Sequence, residues 1–191
     1  MMLQYSKEDI NNSLDILHKG GVILYPTDTI WGLGCDATKP QAVEKVYRIK
    51  NRVDSKSMLV LIHNENMLKS YVKEVPGIAW DLIEASIKPL TIIYPGAKNL
   101  ASNLLADDGS LGIRIVNDPF CEELIRRFRK PLVSTSANLS GEKAPPFFDE
   151  INEVIKEAAD YVVNYRRNDM QPREASSIIK LDLNGVFKIL R

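Results

Sequence analysis

The 25 basic and 25 acidic side chains of this 191-residue chain cancel, and hydrophobic residues make up 45% of it against 26% charged. Those proportions exclude a disordered, collagen-like or disulfide-stapled polypeptide, and the balanced charge excludes a whole-molecule cationic field of the kind that drives non-specific nucleic-acid binding. At roughly 150 residues per domain the length predicts a single domain over residues 1–191.

Along the chain, Ser6 and Asp9 resemble a capping box, and Ile10, Leu14 and Leu17 follow at helical spacing until Gly20-Gly21. Val22 to Tyr25 is a short β-rich apolar run closed by Pro26, which predicts a strand buried on both faces. Pro40 opens a second helix through Ala42, Val43, Val46 and Ile49, and Met58 to Ile62 reads as another buried strand. A helix over 78–87, strands over 90–94 and 111–116, a helix over 119–129 and a strand over 132–134 follow. The last third reads as a helix over 149–158, a short strand at 161–163, and two strands, 177–183 and 186–190, around an Asn184-Gly185 hairpin turn. Alternating elements with a terminal hairpin predict an α/β fold: an open, twisted, mixed sheet of parallel and antiparallel strands flanked by helices, with a concave ligand cleft. The polar stretches 98–110 and 141–148 are the candidates for mobile flaps.

No leader pattern opens the chain and no apolar run approaches the ~18 residues of a membrane span, so a cytoplasmic protein without membrane contact is expected. Cys35 and Cys121 form no metal-ligand or disulfide spacing and are expected as buried, reduced thiols. His18 and His63 have no partner pattern, and no resident metal is expected.

In open α/β sheets ligands gather beyond strand ends, and three strand ends here carry unusual polar groups. Thr27-Asp28-Thr29 follows the first strand and leads to Gly32-Leu33-Gly34, where the glycines permit tight turns near a ligand; an ordinary capped turn explains the same residues. Lys50 and Arg52 close a helix and suit a polyphosphate, one as a point charge and the other as a fork, although basic residues also favour helix C-termini as solvated groups. Ser134, Ser136 and Asn138 offer neutral hydrogen-bond partners for phosphate or a nucleobase, or form a plain polar loop. The Walker pattern, the Rossmann glycine fingerprint, His-Glu-x-x-His and the Gly-x-Ser-x-Gly elbow are all absent, so none of these motifs is the source of function.

In this order, Pro26-Thr27-Asp28-Thr29-Ile30-Trp31-Gly32-Leu33, Lys50-x-Arg52 and Ser136-x-Asn138 resemble the YrdC-like threonylcarbamoyl-adenylate synthases. The resemblance continues in Lys88-Pro89-Leu90-Thr91, Gly112-Ile113-Arg114 and Ser176-Ser177-Ile178, and so spans 20–182. Val53, Ala175 and Ser177 depart from the family's usual residues without touching its signature. The chain resembles the short, single-domain form.

The resemblance implies an enzyme, a nucleotidyltransferase that joins L-threonine, bicarbonate or CO2, and ATP into threonylcarbamoyl-AMP with release of pyrophosphate. Partner proteins then transfer the group to adenosine 37 of tRNA. It implies Lys50, Arg52, Ser136 and Asn138 as catalytic residues. ATP would be held by these four with Ser134, Arg173 and Ser176, and threonine by Thr27, Thr29, Ser57 and Arg114. Mg²⁺ is expected with the phosphates, since it takes few protein ligands in such sites. The alternative from another class is an RNA-binding or scaffold protein of the same fold, for which Arg126, Arg127, Arg129 and Lys130 form a basic run and a weak RNA contact. The related domain of hydrogenase-maturation carbamoyltransferases is a closer rival.

Overall fold

The computed structural model describes residues 5–51 and 58–191. Helix α1 (Lys7–His18) starts where the Ser6 hydroxyl accepts the Asp9 amide at 2.9 Å. Only this half of the expected box forms. The Asp9 carboxylate reaches across the molecule, accepting from the Tyr161 hydroxyl at 2.7 Å and from the backbone amides of Asn164 and Tyr165. Several buried donors compete there for one short side chain, and they outweigh a single local amide.

Strand β1 (Ile23–Tyr25) is fully buried, as its apolar run predicts. Gly32–Gly34, expected as part of a turn, is strand β2, antiparallel to β1. Neither glycine has a positive φ; what matters is the missing side chain. A Cβ on Gly34 would lie 2.5 Å from the Tyr25 ring and 2.7 Å from the Val133 carbonyl.

Helix α2 (Pro40–Ile49), strand β3 (Leu59–Ile62), helix α4 (Gly77–Ala85), strands β4 (Leu90–Tyr94) and β5 (Leu111–Ile115) and helix α5 (Pro119–Phe128) fall where their patterns predict, and strand β6 (Leu132–Ser136) runs two residues past its expected end because Thr135 and Ser136 pair with β2. Between β3 and α4 lies α3 (Glu65–Tyr71), capped by Asn64, which the sequence reading passes over because seven residues show too little periodicity. The helix expected over 149–158 is shorter: a 3-10 turn (Phe148–Glu150) precedes α6 (Glu153–Ala158), which restarts at the Asn152 cap. Strand β7 (Tyr161–Val162) and the hairpin β8 (Ser177–Leu181) and β9 (Phe187–Ile189) complete the chain.

Among the described residues these strands form one nine-stranded sheet in the order β7-β1-β2-β6-β3-β5-β4-β8-β9. Pairs β1–β7, β3–β5 and β4–β8 are parallel and the others antiparallel, so the sheet is mixed as expected. Both faces are covered. Along β3, Val60 and Ile62 join a core with α2 while Leu61 joins a second core with α1 and α5, the period-two alternation of a doubly covered sheet. Cys35 and Cys121 are buried and unbridged. The 98–110 stretch is tied down rather than standing off: Leu104 is buried, and the Ala101 amide and the Asn103 carboxamide bond to the Ala37 and Pro40 carbonyls.

Candidate active site

The sheet order brings distant strand ends together. Thr29, Gly32 of β2, Leu59 of β3, Arg114 of β5, Ser134 and Ser136 of β6, and Ser176 just before β8 all line one cavity of about 200 Å³. Five of the predicted site residues therefore converge: Thr29, Arg114, Ser134, Ser136 and Ser176. Among the described residues lining this cavity none is acidic, while hydroxyls and two arginines, Arg114 and Arg191, are present.

Each side chain has a local cause for its place. The Thr27 hydroxyl accepts the Thr29 amide at 3.0 Å and donates to the Ile30 carbonyl at 2.9 Å. The 2.9 Å contact between the Thr27 and Thr29 hydroxyls then uses the Thr29 proton, which leaves Thr29 with an acceptor lone pair at the cavity. Thr27 itself is buried and consumed by its turn, as the capped-turn reading has it. The Ser176 hydroxyl shares a 2.8 Å bond with Thr91 of β4, in the strand that pairs with β8.

Lys50 caps α2 but is 2% exposed, so it is no solvated helix-end cation. Its ammonium donates to the Ser136 carbonyl and, at 2.7 Å, to the Asn138 carbonyl, and its own carbonyl accepts the Ser140 amide. Lys50 thus ties the two signature segments together, although it is not itself among the residues lining the cavity. The Asn138 carboxamide nitrogen donates to the Leu139 and Glu142 carbonyls, while its buried Oδ1 has no hydrogen-bond partner among the described residues. Arg52 and Ser57 lie outside the described residues.

Arg173 does not join Ser176. It lines two neighbouring cavities and pairs with Asp169 at 3.2 Å. The larger of these, about 650 Å³, is lined by aliphatic residues that include Ile92 and Ile113 and by the charged side chains of Asp28, Asp118, Arg166 and Lys88 among others.

Two functional candidates escaped the sequence reading. Arg191 reaches the cavity because β9 runs back along β8; its Nε donates to the Ser176 carbonyl at 3.0 Å. Only strand pairing could have placed it. Arg166 is buried, donates to the Thr27 carbonyl at 2.9 Å and pairs with Asp118, the N-cap of α5. Burial pushes the Asp118 carboxyl up, and the Arg166 charge opposes the shift. Among the described residues no group of three or more His, Cys, Asp or Glu side chains could hold a metal ion.

A mixed sheet whose polar strand ends meet at a cavity lined by hydroxyls and two arginines, with no acid among its described lining residues, defines an α/β protein with a candidate anion-binding cavity. The chain belongs to the Sua5/YciO/YrdC family, whose model, described as telomere recombination, matches residues 15–191. A threonylcarbamoyl-AMP synthase of Pseudoalteromonas translucida is 35% identical over 180 residues, which cover 92% of this chain and 95% of that protein. Escherichia coli YciO superposes with a TM-score of 0.84 at 25% identity, covering 97% of this chain and 89% of that one. The Pyrococcus abyssi Sua5 structure complexed with L-threonine gives 0.86 at 21% identity, covering 98% of this chain and 55% of that one. This chain thus spans about half the length of the Pyrococcus protein.

Proposed function

We infer that this protein is a threonylcarbamoyl-AMP synthase, which forms L-threonylcarbamoyl-adenylate and pyrophosphate from L-threonine, bicarbonate or CO2, and ATP. The product serves threonylcarbamoyl transfer to adenosine 37 of tRNA by partner proteins. The observation that carries the reading is the cavity that gathers five residues of the family pattern around two arginines, with no acidic side chain among its described lining residues.

The reaction needs position and charge more than a covalent nucleophile. The threonine nitrogen is first carboxylated, and a carbamate oxygen then attacks the α-phosphorus of ATP in line with the departing pyrophosphate. Arg114 suits the α-carboxylate of threonine, as a buried guanidinium whose fork can hold both oxygens. The acceptor lone pair of Thr29 suits the amine or the side-chain hydroxyl. Ser134, Ser136 and Ser176 supply neutral hydrogen bonds to phosphate and carbamate oxygens, and Arg191 supplies the positive charge on the triphosphate side. Lys50 holds the Ser136–Asn138 loop in shape and brings a second cation beneath it. Arg52 and Ser57 keep the triphosphate and threonine roles that the family pattern implies. Arg173 acts, in this reading, from the neighbouring cavity. Mg²⁺ would arrive on the triphosphate, held by phosphate oxygens and water.

We read residues 1–191 as one catalytic unit in the cytoplasm; among the described residues no helix is long and apolar enough to cross a membrane. The basic run of the RNA-binding alternative is engaged locally: Arg126 pairs with Glu123, Arg127 donates to Asn11, and Lys130 pairs with Asp36.

The test is pyrophosphate release from ATP with Mg²⁺ and bicarbonate, with and without L-threonine, in the wild type and in Lys50→Ala. Threonine-dependent release that falls by at least about a hundredfold in a folded Lys50→Ala protein is expected. A folded wild type that releases no pyrophosphate on adding threonine sinks the assignment.

A further inference from the structure

Arg114 stands where a cation is costly. It rises from the middle of β5, opposite Leu61 of β3, and its side chain is 3% exposed. A guanidinium so placed persists only if an anion faces it. Among the described residues that anion is Asp28, 3.2 Å away and 6% exposed.

Asp28 is itself held still. Its Oδ2 accepts the Asn117 amide at 3.2 Å. The turn that carries it is tied on both sides, by the Thr27 hydroxyl to Thr29 and Ile30, by Arg166 to the Thr27 carbonyl, and by the Cys121 thiol to the Pro26 carbonyl at 3.3 Å. The contact, between Arg114 Nη2 and Asp28 Oδ1, is an ion pair without hydrogen-bond geometry, and among the described residues Arg114 Nε has no hydrogen-bond partner. The two members also face different spaces. Arg114 lines the 200 Å³ cavity and Asp28 lines the 650 Å³ cavity behind it, so the pair forms the wall between them.

We propose that Asp28 is a positioning residue for amino-acid recognition: as the counter-anion of the guanidinium it holds Arg114 so that terminal N–H groups at the cavity meet the substrate α-carboxylate. The inference rests on the reading of that cavity as the L-threonine site. The balance of two effects decides its sign. The Asp28 charge weakens the pull of Arg114 on a second carboxylate, but without it a buried guanidinium has no anion and swings toward whatever acceptor or solvent it can reach. A fork aimed in advance delivers paired N–H···O bonds without first paying for its own reorientation, and orientation prevails because the group is buried.

The experiment uses the full chain as wild type, Asp28→Asn, Asp28→Glu, Arg114→Lys and the double variant Asp28→Asn/Arg114→Lys. Pyrophosphate release is measured with L-threonine and ATP varied separately, and melting temperature is measured with and without L-threonine. Asp28→Asn is expected to raise the KM for threonine about tenfold, the loss of one charge-assisted contact, with the KM for ATP within about twofold of wild type. The threonine-induced rise in melting temperature should shrink in parallel, Asp28→Glu should recover part of the affinity, and Asp28→Asn should add little on top of Arg114→Lys. An unchanged threonine KM in folded Asp28→Asn, an equal rise in both KM values, or full additivity in the double variant overturns the proposal. If Asp28→Asn does not fold, Asp28→Glu decides: its longer stem should raise the threonine KM selectively, and an unaltered value overturns the proposal. A wild type without threonine-dependent release overturns the functional reading and this inference with it, whereas a normal wild type with a normal Asp28→Asn overturns this inference alone.

Discussion

A glycine, a lysine and an aspartate show how one residue type can serve different physics. Gly34 reads from the chain as freedom of φ, yet it sits in a regular strand and is needed because the Tyr25 ring and the Val133 carbonyl occupy the space of a side chain. Gly34→Ala should therefore destabilise the protein by about 3 kcal/mol, the cost of overpacking a rigid core, measured by urea denaturation with an unchanged m-value. Gly109 is the contrasting control: it has open space but a φ of +72°, so alanine there is resisted by the backbone and not by packing. Lys50 was legible as a member of Lys-x-Arg, but whether its charge is solvated or buried is set by the loop after β6, which lies 86 residues away. Asp9 was legible as a helix-start residue, and its partners beyond β7 were not.

At the scale of elements, the regular patterns carried well and the short pieces did not. Strand β4 has the bounds its sequence predicts, because five β-formers are bracketed by a proline and a Pro-Gly turn. Strand β2 has two glycines in three residues, and α3 has seven residues, so neither shows a readable period. The C-terminal hairpin follows from Asn184-Gly185, where Gly185 takes a φ of +80°. This hairpin is tied to the 98–110 segment by Lys180, whose ammonium donates to Asp108 at 2.7 Å. That bond, aided by the Ser110 hydroxyl and amide, holds the Asp108 carboxyl well below its ordinary 3.8. A carboxyl depressed in the folded state stabilises it above the unfolded value, and the gain is lost as pH falls through the folded one. Both side chains are half-exposed, so solvent screening keeps the effect small. Asp108→Asn should cost less than about 1 kcal/mol at pH 7, and in denaturation followed at falling pH the difference from wild type should begin to shrink below about pH 4 and close only as pH falls through the depressed folded value.

Over the whole molecule, topology does what no single element does. The crossovers that set the order β2-β6-β3-β5-β4-β8 collect Thr29, Ser134, Ser136, Arg114 and Ser176 at one cavity, and the antiparallel return of β9 adds Arg191. In the same fold Arg126, Arg127 and Lys130 of the surface run engage neighbours, with Lys130 paired to buried Asp36 at 2.8 Å. With a formal net charge of zero, RNA binding should be weak and fall away as salt rises through about 0.15 M, and Lys50→Ala should leave it unaltered. Stabilisation by ATP and Mg²⁺ should behave in the opposite way, lost in Lys50→Ala and far less sensitive to salt. Fluorescence anisotropy with tRNA over a salt series, beside melting curves with ATP, separates the two.

The chain by itself determined the α/β class, most of the strands and helices, and the ordered signature that places this protein in its family, because periodicity, turn chemistry and motif order are local properties of the polymer. Only the tertiary structure decided that Gly34 is a matter of space, that Thr27 is consumed by its own turn, that Arg173 faces another cavity, and that Arg191 and the Asp28–Arg114 pair belong to the site. These depend on which strand lies beside which, a long-range choice fixed by the joint burial of both sheet faces, and no local pattern carries it.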